Sequence, residues 1–148
     1  MAYATGTDLV DCFDVDLIGD LAQDTREPIE PTMVKTHPNV LRMLNQASGE
    51  IDTALIAGGR YQPEQLAALT GNSQAHLVRI TCTIAMALLF KRRPSQAMID
   101  LAKPFYDDKE KYLKDLRTGQ NLFNIAENKA ASIIELQTVT AVEIDTLN

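Results

Sequence analysis

Apolar residues recur along most of the chain at helical spacing. Between positions 39 and 58, Leu41, Leu44, Ile51 and Leu55 step by three, seven and four, with Ser48 filling the missing step. That spacing puts them on one face of a helix. Gly58-Gly59 supplies its stop. Pro63 suits the first position of a short helix through Leu69, and Gly71-Asn72-Ser73 breaks and recaps the chain. The strongest predicted element covers about residues 73–91. There Leu77, Ile80, Ile84, Ala85, Leu88 and Leu89 occupy more than one face. A helix apolar on most sides belongs at the centre of a bundle. Arg93-Pro94 ends it, and Ser95 is placed to cap a last helix running to about Arg117, with Gly119 just past its end. Pro104 lies inside that span and is expected to kink or divide it near Ala102.

The ends of the chain read differently. Residues 5–25 form two short helical pieces. Thr7 is the expected cap of the first, which carries Leu9, Val10 and Phe13; Asp14 is the expected cap of the second, which carries Val15, Leu17, Ile18 and Leu21. Each is too short to be stable unless it docks. Residues 26–38 hold Pro28, Pro31 and Pro38 and read as an extended linker that packs no core. Beyond Gly119, Ile133, Ile134, Leu136 and Val139 stand among threonines, a β-branched content that fits an extended arm or strand. A terminal strand without a hairpin partner needs one from elsewhere, such as another subunit.

The predicted fold is therefore mainly α: a small helical bundle over residues 1–119, with short N-terminal helices, a kinked last helix and an extended C-terminal arm over 120–148. Deleting 120–148 is expected to leave the helical domain folded and to weaken assembly. The length of 148 residues supports one such domain. No apolar run reaches the roughly 18 residues needed to span a bilayer, and the start of the chain does not read as a secretory signal.

Charge adds an asymmetry beneath the net −6. Residues 1–31 hold the acids Asp8, Asp11, Asp14, Asp16, Asp20, Asp24, Glu27 and Glu30 against the single base Arg26. Residues 91–117 carry eight bases and five acids. Two solvated faces of opposite sign account for this, and so does a subunit whose acidic part meets the basic part of a neighbour.

Candidate chemistry is sparse. Cys12 and Cys82 have no metal-type spacing and read as free thiols, Cys82 in a core helix. His37 and His76 fall into no catalytic arrangement. There is no phosphate loop, nucleophile elbow, zinc-protease or dinucleotide motif. Glu50 and Asp52 point in different directions on their helix. The run Asp107-Asp108-Lys109-Glu110-Lys111 reads as a solvated face. No enzyme and no cofactor are expected. A small helical regulatory or DNA-binding module is the alternative. Its support is the break at Gly71-Asn72-Ser73, although the helix that follows is too apolar to read a major groove.

The order of these elements resembles the small head–tail connector proteins of Mu-like and related long-tailed phages. The resemblance is carried by Tyr3-Ala4-Thr5 with Asp8-Leu9 and Phe13, and by Ala47-Ser48-Gly49-Glu50-Ile51-Asp52 with Leu55 and Gly59-Arg60-Tyr61. It continues through the apolar helix ending in Arg92-Arg93 and through Tyr112-Leu113, Asp115-Leu116 and Gly119. It implies a structural virion protein of the neck that assembles as a ring of twelve copies beneath the portal protein. Such a ring extends the channel for viral DNA and docks the next neck or tail component, with no catalytic residues and no membrane. Arg60 and Tyr61 match the family signature. Tyr61 is expected to pack, and Arg60 to pair with Glu50 or Asp52 within or between subunits. The candidate contact residues are Arg60, Tyr61, Arg92, Arg93, Ile133, Ile134, Leu136 and Val139.

Overall fold

The computed structural model describes residues 2–123 and 125. Seven helices follow in order: α1 (Gly6–Cys12), α2 (Val15–Ala22), α3 (Pro31–Val34), α4 (Pro38–Gly58), α5 (Pro63–Ala67), α6 (Gly71–Arg92) and α7 (Ile99–Arg117). No strand occurs among the described residues, and the chain is mainly helical. The three long helices α4, α6 and α7 pack on one another, and α1 and α2 dock onto α6.

α6 is the central helix. From Ile80 to Phe90 every residue except Leu88 is buried. The two threonines in this run are tolerated because each hydroxyl donates back one turn: Thr81 to Leu77 O at 2.8 Å and Thr83 to Arg79 O at 2.8 Å. By length and composition α6 is long and apolar enough to cross a membrane, although polar residues interrupt its apolar run. Here its apolar surface is covered by the other helices of the bundle.

α4 turns its core face through Val40, Met43, Leu44, Ala47, Ser48, Ile51, Ala54 and Leu55. Ser48 is buried and satisfied: it donates to Leu44 O at 3.0 Å and accepts from Tyr3 N at 2.9 Å. Leu41, expected on this face, is 43% exposed. Val40 and Asn39 take the inward positions at this end because Asn39 is drawn to the end of α2, and Leu41 is rotated outward. Gly59 closes α4 in the left-handed conformation at φ 68°, and Gly119 follows α7 at φ 72°, as their positions predict.

Three expectations change. The cap of α1 is Thr5, not Thr7: Thr5 accepts from Asp8 N at 3.1 Å, and Asp8 accepts from Thr5 N at 2.8 Å, a reciprocal capping box. The stretch 26–38 is not a bare linker. It contains α3, whose Val34 is fully buried in the core, and Pro38 is already the first residue of α4. Of the two outcomes expected of Pro104, a kink or a division of the last helix, the division does not occur. The irregularity falls earlier, in a 3₁₀ turn over Gln96–Met98, and α7 runs on through Pro104. Asp14 caps α2 as expected, accepting from Asp16 N at 3.2 Å.

Candidate functional site

Arg92 and Arg93 meet the acidic end of the chain inside the subunit. α2 ends with carbonyls that have no partner in their own helix. Arg92 Nη1 donates to Leu21 O at 2.8 Å and to Ala22 O at 2.9 Å, and its Nη2 pairs with Asp24 at 2.6 Å. Arg93 donates to Gln23 O at 2.9 Å. Asn39, buried at the start of α4, donates to Ala22 O at 2.8 Å and to Asp24 Oδ1 at 2.9 Å. A planar guanidinium serves all three acceptors at once, and its charge suits the negative end of a helix. The acidic N-terminal part thus meets the basic end of α6 within one chain at Asp24 and Arg92.

This clamp has two testable consequences. Arg92→Ala is expected to lower stability by roughly 2 kcal/mol, the order of a lost charge-assisted set, while Arg92→Lys recovers part of it. Urea denaturation measures both, and an Arg92→Ala midpoint equal to wild type would show that Arg92 does not stabilise the end of α2. The second concerns pH. The Asn39 amide holds the Asp24 carboxyl below its ordinary range; desolvation, next in size, opposes it, and the hydrogen bond and charge of Arg92 lower it further. A depressed native value contributes stability that is present above about pH 4 and lost as pH falls through the lowered value. Asp24→Asn is therefore expected to flatten the acid limb of stability against pH. An acid limb identical to wild type would exclude Asp24 from it.

Tyr61 is inside the chain. It is buried, its ring meets Phe123 edge-on at 5.4 Å, and its hydroxyl donates to Asn121 Oδ1 (2.9 Å) or Phe123 O (3.1 Å). The same hydroxyl accepts from Phe123 N at 3.2 Å. Tyr61 thus packs as expected and anchors the chain after α7. Arg60 does not pair with Glu50 or Asp52 within the subunit. It reaches Gly119 O at 3.4 Å and lies 6.0 Å from the Tyr61 ring centroid. Both acids are already engaged on different sides of α4: Glu50 with Lys109 at 3.4 Å, and Asp52 with the Tyr3 hydroxyl. Burial and the Asp52 carboxylate together keep the Tyr3 phenol protonated. Ile133, Ile134, Leu136 and Val139 lie outside the described residues.

Lys109 corrects the reading of its run as solvated: it is only 6% exposed. Helix α7 points this one residue of the alternating charges inward, against Glu50 of α4. Helical spacing within α7 puts Lys109, and not Lys111, on the stripe of Ala102, Leu113 and Leu116; its partner comes from another helix. Glu50 borders an open groove of about 600 Å³ between α4 and α7, which Leu88, Leu113 and Arg117 also line.

The two histidines have structural places. His37 caps α4, its Nδ1 accepting from Asn39 N at 3.1 Å. His76 packs beside Tyr112 and Phe123, at 6.1 and 5.8 Å between centroids. Cys12 and Cys82 are free, as expected, but neighbours in space. Burial first, and Cys12 and Asp8 next to it, push the Cys82 thiol up, so it is held as an unreactive core thiol. Among the described residues no group of His, Cys, Asp and Glu is placed to hold a metal. α6 offers no polar face along its centre for base reading, because the bundle covers it.

The family model described as Bacteriophage Mu, Gp36 matches residues 3–139. The chain belongs to this family. No curated protein and no solved structure matches it. As a member of the phage Mu family it is a Mu-like phage protein. The match spans all seven helices and the Tyr61 anchor, and it runs on through the apolar positions of the arm to Val139.

Proposed function

We propose that this Mu-family protein is a structural component of the virion neck, a head-to-tail connector. It assembles as a ring of about twelve copies beneath the portal, extends the DNA channel and docks the next neck or tail component. It performs no catalysis. The observation that carries this reading is the family match over residues 3–139. It extends the full length of a helical body whose histidines, Cys82 and Arg92-Arg93 all have structural work inside the chain. A ring built by cyclic symmetry needs two different matching faces on every copy. The exposed acids of α1 and α2 and the exposed bases of α7 are the candidates, and viral DNA passes without sequence-specific contact.

The test is assembly. The purified protein is mixed with the portal of the same phage and followed by light scattering and electron microscopy. Rings or a stable portal complex at physiological salt are expected, with label at the neck of intact particles. A protein that stays monomeric beside its portal, with label elsewhere on the particle, would overturn the reading.

A further inference from the structure

Cys12 is the last residue of α1 and lies on the surface, whereas Cys82 is fully buried in the middle of α6. They are far apart in sequence, yet α1 docks on α6 and brings the two thiols within hydrogen-bonding reach. The capping box of Thr5 and Asp8 fixes the opposite end of α1. At the Cys12 end the chain leaves the helix through Phe13 in extended backbone. A disulfide needs its Cβ atoms about 3.5–4.5 Å apart. Two thiols already in contact, one of them at a helix end, meet that need with a small local adjustment.

We propose that Cys12 and Cys82 are a redox pair, which a small disulfide such as oxidised glutathione converts into an intrachain disulfide joining α1 to α6. Cys12 is the entry point, because it alone is open to a reagent. Its thiolate attacks one sulfur of the small disulfide, forms a mixed disulfide and releases one small thiolate. The Cys12 sulfur, now electrophilic, stands against Cys82. Cys82 loses its proton to solvent base, attacks that sulfur and expels the second small thiolate, which is protonated in turn. Two protein thiols and one small disulfide thus become one protein disulfide and two small thiols. Burial keeps Cys82 protonated and inert toward solution, so the second step is slow and proximity drives it. The bond matters because α1 has only seven residues and holds its shape only while docked. A virion protein is made in a reducing cytoplasm and later meets an oxidising medium. That timing rests on the neck reading above; the pairing of the two cysteines does not.

The test uses full-length protein, reduced, freed of reductant and held with oxidised glutathione at mildly alkaline pH. Intact mass after alkylation in denaturant reads the product. Most chains are expected to be monomers lighter by two hydrogens that take up no alkylating reagent. Their melting midpoint is expected to rise by about 10 °C, the scale of a long loop closed in a domain of this size, and to fall back on reduction. Cys12→Ser is expected to keep Cys82 as a free thiol and to show no rise. Chains that stop with glutathione on Cys12 and Cys82 still alkylated overturn the proposal, as do dimers linked through Cys12. So does a closed bond that leaves the midpoint unchanged or lower. None of these readouts depends on ring assembly, so this proposal and the connector reading fail separately.

Discussion

Gly58→Ala is expected to cost about 3 kcal/mol, at the upper end of overpacking effects. A Cβ at position 58 falls 1.9 Å from Leu116 O, 3.1 Å from Leu116 C and 3.2 Å from Gly119 N. All three are backbone atoms, so no side chain can rotate away. The last turns of α4 and α7 must separate, and the contact of Arg60 with Gly119 O goes with them. Gly49→Ala is the internal control. It lies in the same helix, and a Cβ there meets nothing within 4 Å. That change is expected to raise stability by roughly 0.5–1 kcal/mol, because alanine loses less backbone entropy in a helix. Urea unfolding of both variants checks the pair. A Gly58→Ala protein as stable as Gly49→Ala would show that α4 and α7 do not meet here.

The second large effect concerns where the folded body ends. A chain cut after Ile125 is expected to keep its full helical circular dichroism and its melting midpoint. A chain cut after Gly119 is expected to lose about 3–5 kcal/mol, the scale of a buried phenylalanine removed from a core. Phe123 is only 2% exposed, packed on Tyr61 and beside His76, and the Tyr61 hydroxyl loses its partners with it. Against a total stability of roughly 5–15 kcal/mol this is a major loss. The expectation that removing 120–148 leaves the helical domain intact is therefore revised: the cut belongs after 125. Thermal melts at equal protein concentration decide it. Equal midpoints for the two truncations would put Phe123 outside the cooperative unit.

Much of the architecture was legible in the pattern of residues. Helical spacing, Gly59, Gly119, Pro63 and Arg93-Pro94 located the long helices and their ends, because periodicity and punctuation are local properties of the backbone. The burial of α6 followed from its having no polar side. The assignment of Tyr61 to the interior also survived. The candidate contacts fared differently. Arg92 and Arg93, candidates for contact with a neighbour or partner, close α2 of their own chain. A basic pair at a helix end looks the same in sequence whether it faces solvent or another helix.

By itself, then, the sequence determined a mainly helical body with α6 at its centre and an apolar, β-branched segment past its end. Those follow from spacing and side-chain shape along the chain. Only the tertiary structure decided which polar groups meet. Asp24 with Arg92, Glu50 with Lys109, Tyr3 with Asp52 and Tyr61 with Phe123 all join residues far apart in sequence. Such pairs depend on how one helix is rotated against another, which the core sets through the whole bundle. The same rotation carries Leu41 outward, turns Lys109 inward and leaves the second oxygen of Glu50 buried without a hydrogen-bond partner among the described residues.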